Sequence, residues 1–236
     1  MFQPADRALE QLALKWFQSG PGREDVVLKP DRVWRHGPHA IKRFDRELLV
    51  QLGLRCSRAS RSARLHVELA PIVTPRPQVL VEARSGASLL VSEFVEGRFL
   101  DLLWNAGGPA VEAFPHFMAL MHRAPRLHGD FHLRNVLWDG SNWVLMDLDG
   151  LRGAQHRLRR RSLILRHWAR VHFSLRGAQG LRQSFATYLN AAELDWEPAS
   201  TWKKILGQSE SMAKARGIDT GFVARDGMDP APRDGA

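Results

Sequence analysis

The chain is poor in cysteine, in long apolar runs and in repeats. A single cysteine, Cys56, among 236 residues excludes an intramolecular disulfide. A lone small thiol of this kind is expected inside a core. No apolar run reaches the roughly 18 residues that a membrane-spanning helix needs. The opening MFQPADRALEQ lacks the basic and then apolar regions of a secretory signal, so the expected address is the cytoplasm. No internal repeat is present. What remains is an ordinary globular composition, 44% apolar and 25% charged, with enough chain for one unit of two lobes or two small domains.

Acidic residues are outnumbered. Thirty-four Lys and Arg oppose 25 Asp and Glu, for a net charge of +9. Such a surplus points to an anionic partner: nucleic acid, an acidic lipid surface or a phosphorylated glycan. The densest basic run, Arg157 to His172, carries Leu158, Leu163, Ile164, Leu165 and Trp168 between its charges. It reads as an amphipathic helix, either a solvated outer face or a contact with anionic membrane or substrate.

Helical spacing over residues 6 to 18 begins with Asp6 as N-cap and stops at Ser19-Gly20-Pro21-Gly22. Strands are expected at Val26 to Leu28 and His39 to Phe44, helices at Arg46 to Leu54 and Ser60 to Leu69. A proline-marked connector follows, then a hairpin of Val79 to Ala83 and Ala87 to Phe94. After Gly97 the pattern turns helical: Phe99 to Trp104, then Ala110 to Arg123, where Pro115 is tolerable only near a first turn or a kink. Strands at Asn135 to Trp138 and Trp143 to Asp147 flank a turn at Asp139-Gly140-Ser141-Asn142. Three more helices are expected near 157–174, 179–193 and 199–216. The Gly-, Pro- and Asp-rich end reads as a disordered tail. The resulting fold class is α+β: a small antiparallel β N-lobe (1–95, nucleotide-binding), a mainly helical C-lobe (96–216) and a tail (217–236), the two-lobed protein-kinase-like arrangement.

The stretch LHGDFHLRNVLWDGSNWVLMDLD carries the chemistry. A phosphoryl-transfer site needs one carboxylate to accept a hydroxyl proton and two oxygen ligands for Mg²⁺ on ATP. The pattern H-R-D-x-x-x-x-N, followed by a strand-borne Asp, supplies them in that order. Here Asp130 is the expected catalytic base, and Asn135 and Asp147 are the metal ligands. Asp147 ends a buried strand, where a carboxylate is costly without a compensating cation. Asp149 is either a second metal contact or a structural acceptor. His128 reads as a shaper of the loop, and His132 as a packing residue or a contact to substrate or phosphate.

Lys42, in His39-Ala40-Ile41-Lys42-Arg43-Phe44, matches the V-A-I-K strand whose lysine grips the α- and β-phosphates. Its acidic partner is Glu47 or Glu68. No G-x-G-x-x-G precedes it; only Lys29 to Pro38, with Gly37, is placed to cover phosphates. Glu93 to Gly97 follows an apolar strand and precedes a helix, as a hinge does. Glu93 and Val95 would there offer backbone groups to adenine.

On AIKRF, on TPRPQVLVEA followed by LLVSEFVEG, and above all on LHGDFHLRNVLWDGSNWVLMDLDG, the chain resembles the small bacterial lipopolysaccharide kinases of the Kdo/heptose core group over roughly residues 25 to 190. Aminoglycoside and choline kinases share the HGD-to-Asn logic. The resemblance implies ATP and Mg²⁺, a cytoplasmic location peripheral to the inner membrane, and a Kdo or heptose hydroxyl as acceptor. It implies Asp130 as base, Asn135 and Asp147 on the metal and Lys42 on the phosphates. An anionic glycolipid or sugar is then the expected partner rather than nucleic acid, with the basic helix 157–172 toward the membrane. Competing readings are the same chemistry on a protein or soluble small molecule, and a pseudokinase. An iron/2-oxoglutarate oxygenase using His128 and Asp130 with His167 or His172 is a further one.

Overall fold

A computed structural model describes residues 7–30, 32–154 and 156–218. Asp6 and most of the expected tail, residues 219–236, lie outside the described residues. The chain divides into two compact units, one of residues 1–96 with 145–149, the other of residues 97–144 with 150–236.

In the first unit the order is α1 (Arg7–Ser19), β1 (Val26–Lys29), β2 (Val33–His36), β3 (His39–Phe44), α2 (Leu48–Gln51), α3 (Arg58–Glu68), β4 (Pro77–Glu82) and β5 (Ser88–Glu93). The strands form one antiparallel sheet in the order β1-β2-β3-β5-β4. Side chains alternate across a strand, and both faces are used. Ile41, Leu89 and Val91 pack with Trp34, Val79, Ala13 and Trp16 on the side of α1. Phe44 and Leu90 meet Ala59 and Ala63 of α3 on the other. Helix α3 starts cleanly because Ser57 Oγ accepts the Ser60 amide at 2.9 Å. Leu145 is tied to this unit by its amide, which donates to the Val73 carbonyl at 2.8 Å.

The second unit runs α4 (Leu100–Leu103), α5 (Pro109–Arg123), β6 (Arg126–His128), β7 (Val136–Trp138), β8 (Trp143–Leu145), β9 (Leu151–Gly153), α6 (Arg157–Ser174), α7 (Leu181–Ala191) and α8 (Pro198–Lys214). Strands β6 and β9 pair antiparallel, with His128 opposite Leu151. Between β7 and β8, Asp139 Oδ1 accepts the amides of Ser141 and Asn142 at 2.8 and 2.7 Å, an Asx turn that closes the hairpin. The core is aromatic: Phe114 meets Trp143 and Trp168, and Trp168 meets Phe185 and Tyr188, with ring centroids 5.1 to 6.1 Å apart. The fold class is thus the α+β, two-lobed kinase-like one, with an antiparallel sheet early and helices late.

Several local expectations are corrected. The helix expected over 46–54 shrinks to Leu48–Gln51, because Leu48, Leu49, Leu52 and Leu54 are all exposed and bury no apolar face. Cys56, expected inside, is exposed at the end of that segment. Strand β2 lies within the segment expected to cover phosphates and leads into β3 through Gly37, which has φ 52°. Helix α5 begins at Pro109 and continues through Pro115. The missing N–H there is tolerated because Pro115 is buried in a helix whose packing outweighs one lost hydrogen bond.

Candidate functional site

In the first unit, Lys42 stands on β3 beside the buried Ile41. Its Nζ contacts Asp147 Oδ1 and donates to Asp149 Oδ1 at 2.7 Å. Asp149 is buried, 5% exposed, and its other oxygen takes Arg58 Nε at 2.9 Å and Arg58 Nη2. Arg61 Nη2 donates to the Asp149 carbonyl at 3.1 Å. Burial by itself raises the Asp149 pKa. Hydrogen bonding with Asp147, the charge and hydrogen bond of Lys42, and the fork of Arg58 outweigh it and hold the carboxyl well below the usual range. Asp147 has left the strand and adopts a left-handed conformation, φ 56°, which Asp tolerates better than most residues. Its carboxylate is half exposed.

The acidic partner sought for Lys42 is neither Glu47 nor Glu68. Glu47 Oε1 accepts the Arg58 amide at 3.2 Å. Helix α3 instead sends a cation, Arg58, toward Asp149, and Lys42 finds its carboxylates on the segment after β8. A cavity of about 220 Å³ opens here, lined by Lys29, Arg32, Lys42, Arg58, Asp147 and Asp149 among others. Cations from β1 and its turn stand where the sequence offered no glycine signature. In the 93–97 segment, the Glu93 amide donates to the Arg76 carbonyl at 2.9 Å and the Phe94 amide to the Pro38 carbonyl at 2.8 Å. The Val95 amide and carbonyl have no partner among the described residues.

In the second unit, the loop after β6 alternates inward and outward. His128, Phe131 and Leu133 are buried, whereas the Asp130 carboxylate is 71% exposed. The Asp130 amide donates to His128 Nδ1 at 3.2 Å. Arg170 Nη2 reaches Asp130 Oδ1 at 2.7 Å, and His132 Nε2 lies 3.1 Å from Oδ2. Slight burial raises the Asp130 pKa, but hydrogen bonds and charge from Arg170 and His132 prevail and lower it. The group is therefore ionised at neutral pH, as a proton acceptor must be. Asn135 turns Nδ2 toward His128 Nε2 (3.2 Å) and the Asp130 carbonyl (3.4 Å).

The loop backbone is held at several points. The Gly129 amide donates to the Gly150 carbonyl at 3.0 Å, and Arg170 Nη1 donates to the Phe131 carbonyl at 2.7 Å. His167 Nε2 lies 2.7 Å from the His128 carbonyl. Gly150 has to be glycine, since a Cβ there would sit 2.5 Å from the His128 ring. Sequence reasoning missed Arg58 and Arg170. A single chain offers no pattern for either, beyond arginine density on their helices.

The oxygenase triad does not form. His167 is committed to the His128 carbonyl and His172 to Ser209 Oγ at 2.9 Å. Among the described residues no three His, Cys, Asp or Glu side chains converge as a metal set. Mg²⁺ on a nucleotide asks for less, one or two carboxylates with phosphates and water, and Asp147 beside Asp149 fits that demand. Among the described residues no helix is long and apolar enough to cross a membrane.

No family description and no curated protein matches the sequence. Among solved structures, WbdD with the kinase inhibitor LY294002 aligns at 14% identity and a TM-score of 0.46, covering 87% of this chain and 49% of that one. Monomeric WbdD aligns at 17% identity, TM-score 0.45, over 73% and 43%. A structure described as the bifunctional kinase-methyltransferase WbdD aligns at 16%, TM-score 0.44, over 83% and 46%. The chain spans about half the length of these neighbours.

Proposed function

We propose that this chain is an ATP-dependent phosphotransferase acting on a sugar hydroxyl of the lipopolysaccharide inner core, Kdo or heptose. The observation that carries the reading is the cluster in which Lys42 bridges the exposed Asp147 and the buried Asp149. A lysine and paired carboxylates beside a cation-lined cavity suit a metal-bound triphosphate. Mg²⁺ would draw on Asp147. It would neutralise charge on the phosphates as it builds. Lys42 would hold the α- and β-phosphates, and the unpartnered Val95 backbone suits an adenine edge.

In the reaction, the acceptor oxygen bonds to the γ-phosphorus and the bond from that phosphorus to the β–γ bridging oxygen breaks. ADP leaves, and the hydroxyl proton passes to Asp130. Arg170 and His132 keep that carboxylate ionised and aimed. Positioning and charge stabilisation supply most of the rate. An anionic glycolipid at the cytoplasmic face of the inner membrane is the partner this reading favours, met by the basic face of α6.

The test is phosphate transfer from Mg-ATP to isolated core oligosaccharide. Wild type transfers; Asp130→Asn loses about 10²-fold or more and Lys42→Met loses comparable activity. Transfer undiminished in Asp130→Asn would end the proposal. A pseudokinase is favoured by one observation, the glycine-poor β1–β2 turn. It would show thermal stabilisation by Mg-ATP with no transfer to oligosaccharide, protein or small-molecule acceptors.

A further inference from the structure

A second cavity, of about 520 Å³, lies within the helical unit beside Asp130. Its cations are Arg152 from β9 and Arg159 and Arg166 from α6, and among the described residues its only acid is Asp130. Arg159, Ser162, Leu163 and Arg166 are spaced i, i+3, i+4 and i+7 and so share one helix face. Helix α6 contains no acid, and its other arginines are mostly engaged. Arg160 donates to the carbonyls of His122 and Ala154, Arg161 stacks on Trp196, and Arg170 holds Asp130 and the Phe131 carbonyl. Among the described residues, Arg152, Arg159 and Arg166 have no acidic partner. Three guanidinium groups converge on a recess whose one carboxylate is already paired with Arg170. Such a cluster repels itself until an anion enters, and its planar forks suit phosphate or carboxylate oxygens.

We infer that this cavity binds the acceptor through an anionic group, phosphate or carboxylate, which Arg152, Arg159 and Arg166 grip close to the hydroxyl presented to Asp130. The inference rests on the phosphotransferase reading in naming the bound molecule the acceptor. Specificity then comes from charge next to the reacting hydroxyl, and a neutral sugar of the same shape is refused.

Calorimetric titration of the full chain with galactose, galacturonic acid and galactose 6-phosphate tests it. The two anionic sugars should bind at least tenfold more tightly than galactose. That preference should vanish in Arg159→Gln/Arg166→Gln, survive in part in Arg166→Lys and persist in Lys42→Met. Equal affinity for the three sugars overturns the inference. So does a preference that outlasts the arginine changes, or one that disappears in Lys42→Met instead. Binding to phosphatidylglycerol vesicles without binding to either soluble anion also overturns it, assigning these arginines to a membrane surface. A parallel titration with Mg-ATP reports on the phosphotransferase reading separately, and the arginine variants should leave it unchanged.

Discussion

Acidification should loosen the helical unit through a buried chain of imidazoles. Tyr188 Oη lies 2.9 Å from His122 Nδ1, His122 Nε2 lies 2.9 Å from His167 Nδ1, and His167 Nε2 lies 2.7 Å from the His128 carbonyl. One proton order satisfies every link: the tyrosine donates to His122, His122 to His167, and His167 to the carbonyl. Each ring then carries one proton and is neutral. Burial pushes His167 down to about 3, against a partial rise from its bond to the His128 carbonyl. His122 is lowered in the same direction, first by burial and then by the charges of His167 and Arg160. In the unfolded chain each would titrate near 6.5. Because the folded value is the lower, stability is complete above about pH 6.5 and is lost as pH falls toward 3. One unit of pKa difference is worth about 1.4 kcal/mol, so His167 alone should cost about 2 kcal/mol between pH 7.5 and pH 5. For a chain of this size that is a fall in Tm of roughly 4 to 8 °C. Carboxylates with lowered pKa add nothing until pH falls below about 4, so the window belongs to histidine. Urea unfolding at half-unit pH steps measures the slope, and His167→Gln should flatten it by close to one proton while lowering stability throughout. A slope unchanged by that substitution would refute the argument.

Arg58→Ala strips a buried carboxylate of its fork while Lys42 remains, and it should cost about 1–2 kcal/mol by urea denaturation; an unmoved midpoint would contradict the assigned role. Gly150→Ala drives a methyl into the His128 ring, and about 1–3 kcal/mol of overpacking should accompany lost phosphate transfer, read by thermal melting alongside the transfer assay. Phe114→Ala opens the centre of the aromatic cluster and should cost about 3–5 kcal/mol; a loss under 1 kcal/mol in urea would show that the neighbouring rings collapse into the space. Below pH 4 the depressed Asp149 becomes the relevant group. Its stability is present above the unfolded value and disappears on further acidification, so Asp149→Asn should blunt the acid limb of the unfolding profile.

Much of the fold was legible because its signals are local. Alternating apolar residues announced β3, β4 and β5, and the helical period announced α1, α3, α5 and α6. Where periodicity existed without a surface to cover, as in Leu48 to Leu54, the expected helix did not extend. Three-residue strands such as β6 and β9 carry too few alternations to be seen before their partner is known. Cys56 shows the same limit, since residue type states a preference for burial and only the neighbours grant it.

For the candidate site, spacing along the chain proposed Asp130, Asn135, Asp147 and Lys42, because a loop and the strand end that follows it hold their residues at nearly constant offsets. Tertiary structure alone decided which charges meet. Lys42 binds carboxylates more than a hundred positions away, Arg58 of α3 stands where a glutamate was sought, and Arg152 joins Arg159 and Arg166 around one recess. A charge pair depends on distance through space, and local sequence encodes only the direction in which each side chain leaves its own element.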